Sequence, residues 1–139
     1  HLIKWKLLKE ALKELENMFG RKIVVGGGYD VGTSTDYDAV IFAKTIKADL
    51  IVNATNIDGV YSDDPRKNPN ARKFDSLSYQ EFLNIISKLK QTPGEYRLFD
   101  LKGAVLLKAI KAKLIIVDGS NPHEIIDAVN GYHNGTTIE

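Results

Sequence analysis

The chain has no cysteine, so it holds neither a disulfide framework nor a thiolate metal site, and redox chemistry says nothing about its compartment. It has little net charge: 19 basic against 18 acidic residues leave +1 at pH 7, with the lysines scattered among acids. A nucleic-acid polymer would be met by a basic stripe, and no such partner is expected. No apolar run approaches the roughly 20 residues of a membrane span, and the opening His1-Leu2-Ile3-Lys4-Trp5-Lys6 lacks a signal-peptide pattern. A cytoplasmic protein with no membrane partner is therefore expected. Histidine is scarce as well. His1, His123 and His133 share no spacing that suggests a metal site, and His133 beside Asn134-Gly135 reads as a turn residue. No Ser-His-Asp or Cys-His nucleophile set can be assembled, and no side-chain metal cage is expected. What is present, 139 residues at 43% hydrophobic and 27% charged, is the profile of one globular domain with enough apolar surface for a core.

Along the chain, apolar residues recur at helical spacing in Trp5, Leu8, Leu12, Leu15 and Phe19, and Gly20 stops the pattern. Ile23-Val24-Val25 reads as a short strand ending in Gly26-Gly27-Gly28, and a helical pattern resumes through Ala39-Val40-Ile41-Phe42-Ala43. A second buried strand, Leu50 to Ala54, runs into the polar stretch Ser62 to Arg72, which reads as a long surface loop. Ser78 and Glu81 have the spacing of a capping box, and Asp100 opens a further helix. Leu114 to Val117 is a third strand, Asn121-Pro122 starts a helix that Gly131 ends, and a final strand or tail closes the chain. Strands alternating with helices predict an α/β class with a mainly parallel sheet sandwiched by helices.

Two segments carry chemistry. In Gly26-Gly27-Gly28-Tyr29-Asp30-Val31-Gly32-Thr33-Ser34-Thr35-Asp36, glycines after a strand let backbone N–H groups approach an anion at a helix start, and a phosphate is the natural guest. The loop is not a Walker A motif, because Thr33 stands where the lysine is required, and Val31 stands where a dinucleotide fingerprint needs its third glycine. On spacing alone the glycines read equally well as a tight turn with Thr35 as a helix cap. The second segment, Thr55, Asn56, Asp58, Gly59, Tyr61 and Asp64, follows a parallel strand's carboxyl end, where ligands of open α/β sheets sit. An aromatic ring and a carboxylate there suit a base and a ribose, although a polar loop that solvates itself has the same composition. The Arg66-Lys67 and Arg72-Lys73 pairs read as solvated loop cations within reach of a phosphate.

Together these segments resemble the amino-acid-kinase superfamily and, within it, the archaeal-type uridylate kinases. The carrying strings are Gly27-Gly28 through Gly32 to Ser34-Thr35-Asp36, Ala48-Asp49-Leu50, and Ala54-Thr55-Asn56-Ile57-Asp58-Gly59-Val60-Tyr61. Asp64-Pro65-Arg66-Lys67-Asn68-Pro69 and the ending Gly131-Tyr132-His133-Asn134-Gly135-Thr136-Thr137-Ile138 complete the set. The resemblance implies a three-layer, carbamate-kinase-like fold and transfer of the γ-phosphoryl group of ATP, with Mg²⁺, to UMP in pyrimidine nucleotide biosynthesis. It implies that Tyr29, Asp30, Val31, Gly32, Thr33, Ser34 and Thr35 form the UMP-side loop, and that Thr55, Asn56, Tyr61 and Asp64 surround ATP. Asp36 and Asp100 take the catalytic positions, and the partners are ATP, UMP and further copies of the chain in a hexamer. It also implies that residues 1–139 are the C-terminal, nucleotide-binding portion of one kinase domain, inactive by itself without the N-terminal strand and its phosphate clamp. Kinases of the same superfamily acting on isopentenyl phosphate, carbamate or an amino acid share the ATP half, and a nucleotide-binding assembly module without turnover is the non-enzymatic alternative.

Overall fold

A computed structural model describes residues 32–89 and 98–139. The expected helix from Trp5 to Phe19, the strand Ile23 to Val25 and the glycines that follow it lie outside the described residues. The described elements are α1 (Thr35–Ile46), β1 (Leu50–Thr55), β2 (Ser76–Leu77), α2 (Tyr79–Lys88), α3 (Leu101–Ile110), β3 (Lys113–Asp118), α4 (Pro122–Asn130) and β4 (Thr136–Ile138).

Local chemistry sets the helix ends. Ser34 caps α1 by accepting from the N–H of Tyr37, and Lys47 ends it in the left-handed region at φ 54°. The helix cap is thus Ser34, not the Thr35 of the sequence-based alternative. Ser78 and Glu81 form the expected capping box on α2, with both reciprocal hydrogen bonds present. Asp100 caps α3 through the N–H of Gly103, and Asn121 with Pro122 opens α4, which Gly131 closes at φ 82°.

The strands form one sheet in the order β1-β3-β4-β2. β1 runs parallel to β3, β2 runs parallel to β4, and β3 pairs antiparallel with β4. The expectation of a mainly parallel sheet therefore holds with one antiparallel joint. Two details differ from it: no helix separates β1 from β2 among the described residues, and β2 has only two residues. So short a strand has no periodicity to read, and it exists because β4 offers it a register, Ser76 against Thr137 and Leu77 against Ile138.

β3 is an inner strand of the described sheet, with Leu114, Ile115, Ile116 and Val117 all buried. Its alternation feeds two layers. Leu114 and Ile116 join Val40 of α1, Phe82 and Ile86 of α2, and Ala104 and Leu107 of α3 in the main core. Ile115 and Val117 join Ala128 of α4, with Leu50 and Val52 of β1 against them, on the opposite face. A strand covered on both faces reads as a continuous apolar run, as this one does. Phe82 and Phe99 meet in a tilted pair at 5.9 Å, and replacing either by alanine would cost about 3–5 kcal/mol.

Candidate functional site

Because β1 and β3 are parallel, their carboxyl ends, Thr55 and Asp118, lie side by side, joined by a hydrogen bond from the N–H of Gly119 to the Thr55 carbonyl at 2.6 Å. Two clefts open there. The first, about 480 Å³, is lined by Ser34, Thr35 and Asp36 at the start of α1, by Asn53, Ala54, Thr55 and Asn56 at the end of β1, and by Leu98. Its volume lies within the range of nucleotide-sized sites. The first-turn N–H groups of a helix have no acceptor inside the helix and carry the positive end of its dipole, so this wall favours an anion. Gly32 reaches the helix through φ +93°, a conformation that side chains rarely adopt.

Two aspartates brace this cleft. Asp36 Oδ2 accepts from the backbone N–H of Asp100 at 3.1 Å, which ties the start of α1 to the start of α3. Asp38 is buried, and Thr33 Oγ1 donates to its Oδ2 at 3.3 Å. The close approach of the two helices depends on Gly103, where a Cβ would stand 3.1 Å from the Phe99 ring and 3.4 Å from the backbone of Tyr37.

The second cleft, about 380 Å³, is lined by Asn56, Ile57, Asp58, Pro65, Arg66 and Asp118, so Asn56 belongs to both. Thr55 fixes the backbone of Ile57, which lines it: the Thr55 hydroxyl donates to the Ile57 carbonyl at 3.0 Å and accepts from the Ile57 N–H at 2.9 Å. Asp58 is held by the Tyr61 hydroxyl at 2.9 Å and by Lys73 Nζ at 3.0 Å. Partial burial works to raise the Asp58 carboxyl, but the hydrogen bonds from Lys73 and Tyr61, with the charge of Lys73, outweigh it and hold the group below the ordinary 3.8. For Tyr61, partial burial first and then the Asp58 carboxylate push the phenol above its ordinary 10.0.

The stretch from Ser62 to Arg72 is the expected loop, and it is tied at its base by the Ser62 N–H to Arg72 carbonyl bond and by pairing of Tyr61 with Lys73. Inside it, Arg66 grips Asp64 with two guanidinium hydrogen bonds of 2.9 and 3.0 Å while its backbone N–H donates to the same carboxylate at 3.0 Å. The Arg66 contacts hold the Asp64 carboxyl below its ordinary range. Asp63 accepts from Asn68 Nδ2 at 2.9 Å.

The sequence-predicted residues sort accordingly. Ser34, Thr35, Asp36, Thr55 and Asn56 line the first cleft, and Asp100 supports Asp36 through its backbone. Gly32 and Thr33 lie exposed just before α1. Asp64 is buried under Arg66, and its neighbours Pro65 and Arg66 line the second cleft. Tyr61 packs against the main core and turns its hydroxyl to Asp58. Tyr29, Asp30 and Val31 lie outside the described residues. Two loop cations are not simply solvated: Arg66 pairs with Asp64, and Lys73 bonds both Asp58 and the Asn134 carbonyl. Sequence reasoning missed Asn53, Leu98 and Asp118. Asn53 and Asp118 stand at parallel strand ends, a signal that could have found them. Among the described residues no three His, Asp or Glu side chains group as a metal-ligand set, and no helix is long and apolar enough to cross a membrane.

The sequence and the fold that carry these clefts are similar to those of known proteins. The chain is 38% identical over 122 residues to a uridylate kinase of Methanocella arvoryzae, covering 88% of this chain and 54% of the relative. It is 40% identical over 124 residues to a uridylate kinase of Pyrobaculum aerophilum, covering 89% and 57% respectively. The crystal structure of a uridylate kinase from Archaeoglobus fulgidus superposes with a TM-score of 0.80 at 38% identity, covering 94% of this chain and 57% of that one. The chain thus spans somewhat over half the length of these relatives. The model of the amino acid kinase family matches residues 3–118, which include the start of α1, all of β1, the loop residues after it and Asp118 at the end of β3, the parts that line both clefts. With this match covering most of the chain, and with its sheet carrying the clefts at the matched strand ends, the protein belongs to the amino acid kinase family.

Proposed function

We propose that this chain is the C-terminal, nucleotide-binding portion of a kinase that transfers the γ-phosphoryl group of ATP to UMP, giving UDP and ADP for pyrimidine nucleotide biosynthesis. The observation that carries the proposal is the first cleft, in which the anion-favouring start of α1, Ser34 to Asp36, faces the end of β1, Asn53 to Asn56. The acceptor phosphate lies on the α1 side, next to Thr33, Ser34 and Thr35. ATP enters from the second cleft along Asn56, Asp58, Pro65 and Arg66, with Tyr61 and Asp64 shaping that wall from behind. Likeness to uridylate kinases from three archaea supports UMP as the acceptor.

A phosphate oxygen of UMP is already anionic, so the reaction needs no general base and depends on positioning and on cancelling charge across the transferring group. Asp36 would organise that region from the cleft wall, where Asp100 fixes its carboxylate. Mg²⁺ bound with ATP would neutralise charge on its phosphates, and Asp36 in the cleft wall would be the carboxylate to hold it, because this ion is held chiefly by substrate phosphates and one or two carboxylates. The enzyme is proposed to be cytoplasmic and hexameric.

The test is a coupled assay on the full-length protein with ATP and UMP, CMP or isopentenyl phosphate as acceptor. Turnover with UMP well above the others is expected. Preference for another acceptor would reassign the enzyme within the family, and ATP binding without transfer to any acceptor would mark a non-catalytic nucleotide-binding module.

A further inference from the structure

The loop that walls the second cleft is held from outside its own strand. Lys73 Nζ donates to Asp58 Oδ2 at 3.0 Å and to the Asn134 carbonyl at 2.9 Å. Asn134 is itself fixed, since its N–H and its side-chain amide donate to the carboxylate of Glu124, in the first turn of α4, at 3.1 and 2.8 Å. Next to it, the buried Thr136 hydroxyl accepts from the Val60 N–H at 2.8 Å and donates to the Phe74 carbonyl at 2.5 Å. A Cβ on Gly59 would lie 2.7 Å from Thr136 Oγ1 and 3.1 Å from Lys73 Cδ. Loop, lysine and C-terminal turn are therefore in contact, and the loop cannot change shape without moving its anchors.

We propose that Lys73 is a positioning residue for the donor nucleotide, tying Asp58 in the cleft wall to the Asn134 carbonyl before β4 so that the loop from Asn56 to Tyr61 is shaped before ATP arrives. This rests on the reading of the second cleft as the donor site. A polar loop that had to order itself on binding would give up affinity for that ordering, and a preformed one does not. The Lys73 ammonium meets two acceptors that are themselves fixed, Asp58 by Tyr61 and Asn134 by Glu124, so the tie acts through Asp58 and the loop and does not require contact with ATP.

The experiment is a double-mutant cycle in the full-length protein with Lys73→Met, which keeps most of the stem over Gly59, Asp58→Asn, and the pair together. ATP Kd is measured by titration calorimetry, and kcat and the KM for UMP by coupled assay. Each single change should weaken ATP about threefold to fivefold, as expected for a half-exposed ion pair, and the double variant should be no weaker than the weaker single. The KM for UMP should stay constant, and kcat of Lys73→Met at saturating ATP should fall by less than about twofold. Effects that multiply in the double variant would mean that Lys73 meets ATP on its own account and would overturn the tie. So would unchanged ATP affinity in Lys73→Met, or equal weakening of UMP. Should Lys73→Met fail to fold, Lys73→Gln carries the same cycle with a donor retained. Wild-type protein that binds no ATP would refute the donor site itself, whereas normal ATP binding that is indifferent to Lys73 refutes only this inference.

Discussion

Asp36 and Asp100, 64 residues apart, meet through a hydrogen bond in which the backbone N–H of Asp100 donates to Asp36 Oδ2 at 3.1 Å. One carboxylate thus serves two purposes: it stands in the wall of the first cleft and it joins the starts of α1 and α3. Asparagine at position 36 keeps an oxygen that can accept the bond and removes the charge, which separates the two. Asp36→Asn in the full-length protein should therefore stay folded and lose about 10²-fold in kcat, with ATP affinity little changed. Asp36→Ala should lose kcat and thermal stability together. If kcat of Asp36→Asn stays within about threefold of wild type while the KM for ATP rises, the carboxylate is not organising the transfer.

The Asp100 side chain has a separate task, accepting from the N–H of Gly103 at 2.9 Å as the cap of α3. Asp100→Ala should cost about 1 kcal/mol, a fall of roughly 2–4 °C in melting temperature for a protein of the relatives' size. Asp100→Ser restores the cap without the charge. Recovery of stability without recovery of kcat would assign the charge a part in the reaction, and recovery of both would make Asp100 a cap alone.

In the proposed donor site Tyr61 and Asp64 would act through their neighbours, Tyr61 by its bond to Asp58 and Asp64 by its grip on Arg66. Tyr61→Ala and Asp64→Ala should each weaken ATP and leave UMP affinity nearly unchanged. Tyr61→Phe, which retains the ring against the core and loses only the hydroxyl, should fall between wild type and Tyr61→Ala. Titration calorimetry with each nucleotide separately is the measurement, and equal losses for both would contradict the division of the site.

How legible these features were depends on how local their causes are. The capping box of Ser78 and Glu81, the Asn121-Pro122 start and the Gly131 stop of α4 are settled by residues within one turn, and each appears where the sequence places it. The β3 run from Leu114 to Val117 was legible because burial on both faces leaves an unbroken apolar string. The strand-end rule put Thr55 and Asn56 at a cleft, as found. By contrast β2 is defined by its partner and the Lys73 tie by an acceptor 61 residues away, so neither leaves a mark in neighbouring residues. The Arg72-Lys73 pair looked like any solvated pair for that reason. His133 stands close to its expected turn role, but its half-buried ring also places Nε2 3.1 Å from Thr137 Oγ1, a contact that spacing does not announce.

Acid should loosen the loop that walls the second cleft together with the starts of α2 and α4. Hydrogen bonds from Ser78 hold the Glu81 carboxyl below 4.5, and those from Asn134 hold Glu124 below the same value. Contacts with Asn68 hold Asp63, and those with Arg66 hold Asp64, below 3.8; Asp58 is also lowered because Lys73 and Tyr61 outweigh its partial burial. For each of these groups the folded protein binds its proton less readily than the unfolded chain. Their contribution is therefore complete above the unfolded values of 3.8 and 4.5 and is lost as pH falls through the lower folded ones. Melting temperature should be level from neutral pH to about 5.5 and fall below about 4.5, and Glu124→Gln should make that fall shallower. A melting temperature that stays level to pH 3 would show that these pairs contribute nothing.

The C-terminal turn offers the sharpest steric test. At Gly135 a Cβ would overlap the carbonyl oxygen of Ile116 and stand 2.8 Å from Val117 Cγ1, both on the central strand. Neither can give way easily: Ile116 is paired with Thr136 across the β3–β4 ladder, and Val117 is buried against the α4 layer. Gly135→Ala must therefore push the turn off β3, which strains the ladder and moves the Asn134 carbonyl and the Thr136 hydroxyl that anchor Lys73 and Val60. The expected cost is about 2 kcal/mol or more, together with weaker ATP binding. Gly131→Ala is the control, because a Cβ there meets no atom within 4 Å and only its φ of +82° is unfavourable. It should destabilise by about 1 kcal/mol and leave ATP affinity alone. Chemical denaturation and calorimetry on the two variants check this. Equal stability losses with equal ATP affinity would mean that the turn before β4 is no part of the proposed donor site's support.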